Sequence, residues 1–311
     1  MNADRFVPLI RPGQVATGSA PVFERIGIVG LGLIGGSIAL AARQRWPSGL
    51  VIGVDRNEVL ERAVARHAID VAASNLTIVS EADLVILAAP VLTNISVLEQ
   101  LPGYVEKPVI VTDVGSTKRA IVQAAATLPA HMTFVGGHPL GGSTHSGIET
   151  ARPDLFAGRP WVFTPSPGSG DSGPGAGEMS EATGRLFQFV EGLGAVPVAM
   201  DAARHDRLVA FISHLPQLTA SALMRIVGDR VGDEGLALSG RGLRDTTRLA
   251  GSPGDIWADI CASNADEIRP AIDALIDVLR RLRDRVGDRD AIADLFDAAN
   301  RWRSALDDTH S

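Results

Sequence analysis

The feature that most narrows what this chain can fold into is Gly30-Leu31-Gly32-Leu33-Ile34-Gly35, lodged between a short apolar run and a longer one. Three glycines at this spacing occur by chance in a chain that contains 33, so the spacing alone says little. Its context says more. Residues 26–29 read as a buried strand, and residues 33–45 read as a helix that ends where Trp46-Pro47 blocks continuation. A strand–turn–helix of this kind asks something different of each glycine. Gly30 permits the tight turn, Gly32 lets the backbone approach a pyrophosphate, and Gly35 lets helix and strand pack closely. The first helical turn, with Leu33 and Ile34, then offers free N–H groups and partial positive charge to phosphates. The same glycines would also suit a tight turn that binds nothing.

Asp55 closes the next predicted strand, residues 50–54, and lies 20 residues after Gly35. A carboxylate there accepts hydrogen bonds from the adenine ribose hydroxyls and repels a 2′-phosphate, which favours NAD. Arg56 follows at once. It reads as a solvated or adenine-stacking residue, or as a partner for a 2′-phosphate, so NADP stays open.

Strand and helix patterns then alternate. Residues 58–67 and 117–126 read as helices. Residues 84–88, 109–112 and 132–135 read as strands, with 161–164 and 196–199 as two more. Alternation at this spacing predicts an α/β fold, a doubly wound parallel sheet of Rossmann type with helices on both faces. Residues 166–178, rich in Gly, Pro and Ser, read as an exposed loop. From Asp201 the periodicity is helical, over 201–227, 255–285 and 290–306. These helices carry more apolar residues than so few elements can bury, which predicts a homodimer. The expected organisation is a flexible tail (1–21), a dinucleotide-binding domain (22–200) and an all-helical substrate and dimerisation domain (201–311).

Composition excludes several classes. A net charge of −7 argues against a nucleic-acid binder, which would show a basic face, though a site for an anionic substrate can still be locally basic. The longest apolar stretch, 26–42, holds five glycines and reads as strand plus helix rather than a membrane span. Residues 1–21 lack the pattern of a signal peptide. Cys261 is the single cysteine, so no disulfide can form within the chain; it reads as a core thiol, and the expected compartment is the cytoplasm.

Two segments follow predicted strands and belong at the sheet's carboxyl edge, where ligands bind in open α/β folds. They are Asp113-Val-Gly115-Ser116-Thr117-Lys118 and Gly136-Gly137-His138-Pro139-Leu140-Gly141-Gly142-Ser143. His138 stands directly after a strand with little local core to join, and imidazole is well poised for proton transfer near neutral pH. The Ser116 hydroxyl on the neighbouring loop could fix its ring orientation.

These segments resemble the prephenate and arogenate dehydrogenases of tyrosine biosynthesis. Ser213-His214-Leu-Pro-Gln217, Gly242-Leu-Arg-Asp-Thr-Thr-Arg248-Leu-Ala and Trp257-Ala-Asp-Ile260 join in the resemblance, which spans residues 26–306. It implies NAD-dependent oxidative decarboxylation of prephenate to 4-hydroxyphenylpyruvate, or the arogenate or mixed cyclohexadienyl counterpart, with no metal. It implies that His138 accepts the hydroxyl proton and that Ser116 positions that histidine and the cofactor. Arg248 would bind a substrate carboxylate, for which a guanidinium fork is suited. His214, Ser143 and Thr144 would contribute to substrate binding. Gly141 stands where relatives commonly carry alanine and loosens the loop, while Thr144 stands where they often carry an acid, and the loss of that charge bears on the choice between a keto and an ammonium side chain. His205 lies nine residues before His214, off any helical multiple, and reads as a helix-start or interface residue. Arg244, four before Arg248, reads as a second anion contact or an interface residue. Two rivals remain. A β-hydroxyacid-type dehydrogenase would need a lysine on a helix of the second domain, and residues 201–311 contain none. A non-catalytic NAD-binding protein would share only the glycine loop.

Overall fold

A computed structural model describes residues 20–141, 146–165 and 180–308. Ser143, Thr144, nearly all of the tail and the Gly/Pro/Ser-rich stretch lie outside the described residues.

Eight strands form one sheet: β1 (Arg25–Val29), β2 (Leu50–Val54), β3 (Val71–Ala73), β4 (Leu84–Leu87), β5 (Val109–Asp113), β6 (Met132–Pro139), β7 (Pro160–Pro165) and β8 (Val196–Ala199). Their order is β3-β2-β1-β4-β5-β6-β7-β8. Every neighbouring pair is parallel except β6 with β7, so the doubly wound parallel sheet carries one antiparallel junction. The strand order reverses between β1 and β4, which opens a crevice at their carboxyl ends. The helices that accompany the sheet are α1 (Leu33–Arg45), α2 (Asn57–Ala65), α3 (Val91–Gln100), α4 (Arg119–Ala125) and α5 (Glu181–Gly192). After the sheet come α6 (Ala202–Val209), α7 (Leu215–Ala237), α8 (Arg241–Thr247), α9 (Gly254–Ser263), α10 (Ala265–Asp284) and α11 (Arg289–Asp308).

β4, and β1 after Arg25, are apolar throughout because both of their faces are covered. Ile26, Ile28, Leu84 and Ile86 enter one core, while Val29, Val85 and Leu87, displaced by one residue, enter the other. This is the two-residue period of a strand split between two layers of helices.

The structure differs from the sequence reading in β6. That strand does not stop before the glycines but runs on to Pro139, and His138 pairs with Val162 inside the ladder. A Cβ on Gly136 would lie 2.4 Å from Thr164 Oγ1, and one on Gly137 would lie 2.6 Å from the Asp113 carbonyl oxygen. The two glycines therefore mark crowding within the sheet, not the end of a strand. The helical stretch expected over 255–285 is two helices, with Asn264 as the break.

The chain to Asn264 forms one compact unit, and the chain from Ala265 a second. The first holds the sheet and α1–α9, and the second holds α10 and α11. Leu279, Phe296, Trp302 and Leu306 of the second unit are exposed in the single chain. No described helix is long and apolar enough to cross a membrane.

Candidate active site

The glycine loop at the end of β1 shows which glycines serve the fold and which leave space. Gly30 has φ +97°, and a Cβ there would lie 2.7 Å from the Ala88 backbone. A Cβ on Gly35 would lie 1.9 Å from the Gly30 carbonyl oxygen. Gly32 has nothing within 4 Å, so the space beside it is open. Helix α1 starts immediately after, with no side-chain cap and no acid in its first turn. Its first N–H groups are thus left for a ligand, as a phosphate site requires. Asp55 is held against this loop: its Oδ2 accepts from Leu31 N at 2.7 Å and its Oδ1 from Arg56 N at 2.7 Å. A carboxylate has about four lone-pair positions, which leaves capacity for ribose hydroxyls. Arg56 is exposed at the start of α2. The residues present fit a bound dinucleotide.

The second half of the site forms where β6, the β5–α4 loop, α6 and the end of α9 meet. His138 Nδ1 lies 2.8 Å from His205 Nε2, and His205 Nδ1 lies 2.8 Å from Asp206 Oδ1. An ionised carboxylate can only accept, and this fixes the tautomers in sequence. His205 carries its proton on Nδ1, so its Nε2 accepts. His138 then donates from Nδ1, and its Nε2 presents a bare lone pair. That nitrogen has no hydrogen bond among the described residues, and the ring is only partly buried.

The electrostatics keep His138 neutral. Burial lowers its pKa well below the usual imidazole value, and His205, Lys118 and His214 add to the shift. Burial pulls the other way on Asp206, but hydrogen bonds from His205 and from the Arg119 and Lys118 backbone outweigh it and hold the carboxyl below its ordinary range. Lys118 N donates to Asp206 Oδ1 at 2.7 Å, while Arg119 N (2.9 Å) and Nε (3.4 Å) donate to Oδ2. The fully buried Lys118 ammonium pairs with the Asp113 carboxylate. Asp113 also accepts from Gly115 N at 2.8 Å and from Gly137 N at 3.1 Å, clamping the loop to β6 beside His138.

His214 belongs to a π turn, Ala210–His214, between α6 and α7. Asn264 sets its tautomer. The Asn264 Oδ1 accepts from Arg119 Nη2 at 3.0 Å, so its Nδ2 is the donor, to the Asp206 carbonyl oxygen at 2.9 Å and to His214 Nδ1 at 3.3 Å. His214 therefore carries its proton on Nε2, which is buried with no partner among the described residues. Burial drives its pKa down to about 4, opposed by Asp206 and assisted by His205. A buried N–H left unpaired costs about 1–3 kcal/mol, which a ligand oxygen would recover. The ring stands edge-on to Trp257 with centroids 5.9 Å apart.

The structure thus brings His138 and His214 together. His205 does stand at the start of α6, as expected, but it is also a direct partner of His138, a contact the sequence reading did not anticipate. An α-helix turns about 100° per residue, so nine steps should place two side chains on opposite sides. The intervening π turn winds less per residue and narrows that angle. The orientation of the His138 ring is set by His205, whereas the part-buried Ser116 makes no hydrogen bond to it among the described residues. Arg244 on α8 and Arg248 in the following turn, Arg248–Gly251, are exposed. Asp206 and Asn264 went unrecognised in the sequence; only the adjacency of His205 and Asp206 at a helix start hinted at the first.

Residues 38–173 match the family described as prephenate dehydrogenase, nucleotide-binding domain, and residues 201–298 match prephenate dehydrogenase, dimerization domain. A prephenate dehydrogenase of Bacillus subtilis (strain 168) is 34% identical over 293 residues, which cover 91% of this chain and 76% of that protein. A solved structure of prephenate dehydrogenase from A. aeolicus, in complex with hydroxyphenyl propionate and NAD+, has a TM-score of 0.80 at 27% identity, covering 92% of this chain and 98% of the other. The Synechocystis arogenate dehydrogenase structure has a TM-score of 0.74 at 29% identity, covering 91% and 99%.

Proposed function

The chain belongs to the prephenate dehydrogenase family, and from that premise we propose that it oxidises and decarboxylates prephenate to 4-hydroxyphenylpyruvate, with His138 as the base and NAD as the cofactor. The observation that carries this reading is the tautomer chain from Asp206 through His205, which leaves His138 Nε2 as a neutral acceptor.

Bound NAD supplies the acceptor for the hydride that leaves the hydroxyl-bearing ring carbon. The protein acts on the proton. The substrate hydroxyl donates to His138 Nε2, and its proton passes there as the carbon–oxygen bond becomes a carbonyl. Loss of carbon dioxide sends an electron pair into the ring, which becomes aromatic, and onto that oxygen. The oxygen then retrieves the proton from His138. While His138 is protonated, its charge is stabilised through His205 by the Asp206 carboxylate. A base of this kind contributes roughly 10²–10⁴-fold to a rate. Arg248 takes a substrate carboxylate, the His214 Nε2–H donates to a second substrate oxygen, Ser143 and Thr144 contribute to substrate binding, and Ser116 positions the cofactor. Asp55 favours NAD over NADP. The exposed apolar side chains of α10 and α11 and the match of 201–298 to a dimerization domain support a homodimer, with 201–311 as the region that dimerises and binds substrate. The lone cysteine fits a cytoplasmic enzyme.

Likeness to an arogenate dehydrogenase favours a second reading, in which arogenate is also turned over. Steady-state kinetics with prephenate and arogenate, each with NAD and NADP, test both. The highest kcat/KM is expected for prephenate with NAD. Turnover of arogenate without prephenate would overturn the substrate assignment, and a preference for NADP would overturn the role given to Asp55.

A further inference from the structure

Gln217 lies three residues beyond His214 on α7 and is 4% exposed. A buried amide must be satisfied within the fold, and this one is used at both ends. Its Nε2 donates to the Leu249 carbonyl oxygen at 2.7 Å and lies 3.4 Å from Ser221 Oγ, while its Oε1 accepts from Ser252 Oγ at 3.2 Å. Leu249 and Ser252 sit within and just after the short turn Arg248–Gly251. The turn's own closure is a hydrogen bond from Ser252 N to the Leu249 oxygen at 3.0 Å. One side chain therefore clasps the same turn at two points from the helix that follows His214. With its donors and acceptor engaged, the amide faces protein and not ligand. The turn's first residue is Arg248, which is exposed, so the location of its guanidinium follows from how the turn is held.

We propose that Gln217 is a positioning residue: by clasping 248–252 onto α7 it fixes Arg248 relative to His214, so that one substrate meets both. This rests on Arg248 being the carboxylate anchor. Glutamine suits the task because it donates and accepts at the same reach. Glutamate lacks the donor, and methionine keeps the length with neither function.

The test is a double-mutant cycle on the full-length enzyme with Gln217→Met and Arg248→Ala. Gln217→Met is expected to raise the KM for prephenate by roughly ten-fold, the scale of one lost hydrogen bond, with kcat within about two-fold. NAD affinity and the thermal unfolding midpoint of the nucleotide-bound enzyme should stay near the parent values. In the Arg248→Ala background the same substitution should add nothing to KM. A gentler variant, Ser252→Ala, should move KM in the same direction by roughly three-fold, and it carries the test if Gln217→Met does not fold. Normal KM in Ser252→Ala and Gln217→Met, beside a raised KM in Arg248→Ala, overturns the clasp alone. An equal rise from Gln217→Met with and without Arg248 overturns it too, since the residue would then act on its own. A normal KM in Arg248→Ala overturns the anchor, and the clasp with it. A parallel loss of kcat, NAD affinity and thermal stability in Gln217→Met marks general damage and overturns the positioning role.

Discussion

Replacing Asp206 with asparagine should reverse the proton order of the whole histidine chain. The carboxylate receives two donors on each oxygen: Lys118 N and His205 Nδ1 on Oδ1, Arg119 N and Nε on Oδ2. An amide must present its NH2 to one of these pairs. Backbone N–H groups and a guanidinium cannot become acceptors, but an imidazole can, so the NH2 group is expected to face His205. His205 Nδ1 then accepts, its Nε2 carries the proton, and His138 is driven to hold its own proton on Nε2, the nitrogen that must take the substrate's. To react, both rings have to revert, which sets the His205 N–H against the amide N–H with no acceptor for either. Two buried unpaired donors cost about 2–6 kcal/mol, or roughly 30-fold to 10⁴-fold in rate. The assay is single-turnover hydride transfer, followed by the absorbance of reduced nicotinamide at saturating substrate and NAD. Thermal unfolding and NAD affinity serve as controls for folding. A folded Asp206→Asn enzyme whose hydride-transfer rate stays within about three-fold of the parent would refute the tautomer argument.

Five further outcomes follow from the same geometry. His138→Asn should retain NAD binding and lose roughly 10²–10⁴-fold in kcat, and unchanged turnover would remove His138 from the chemistry. Gly32→Ala should fold normally, because nothing lies within 4 Å of its Cβ, yet bind NAD weakly in equilibrium titrations; full affinity would show that the open space is not the pyrophosphate's. Gly35→Ala should instead lower the unfolding midpoint, since its Cβ would lie 1.9 Å from the Gly30 carbonyl oxygen. Because His138 is held neutral well below the usual imidazole value, the acid limb of the kcat/KM profile should lie below that value; a limb at or above pH 6.5 contradicts the burial and charge effects invoked. His214, with a folded pKa of about 4 against an unfolded 6.5, makes the unfolded chain the better proton binder between those values, so its contribution to stability is full above pH 6.5 and falls as pH drops toward 4. His214→Gln should flatten that part of the unfolding-midpoint profile.

The elements carried by local rules were legible. α1 and β2 begin and end at the residues that the pattern of glycine, proline and apolar side chains predicts. What escaped depends on separations that no local rule sees. Asp206 meets Lys118 and Arg119 across 88 and 87 positions, and Asn264 meets Arg119 across 145. Gly136 and Gly137 looked like the end of a strand because the crowding that demands them comes from Thr164 and Asp113, on the two flanking strands. His138 was legible through its neighbours in the motif. His205 was not, because periodicity arguments assume an unbroken helix.

That break has an evolutionary reading. A π turn is an α-helix holding one residue more than it needs, and its hydrogen bonding is the less favourable for it. Deleting one residue between Ala210 and Ile212 would restore regular winding and improve local stability. It would also rotate everything beyond the deletion by about 100°, carrying His214 and Gln217 off the face they occupy. In this helix a deletion that regularises the winding is therefore expected to take apart the site. Natural length variation should be absent from residues 205–217 while helix-neutral substitutions at exposed positions such as Phe211 and Ile212 are tolerated.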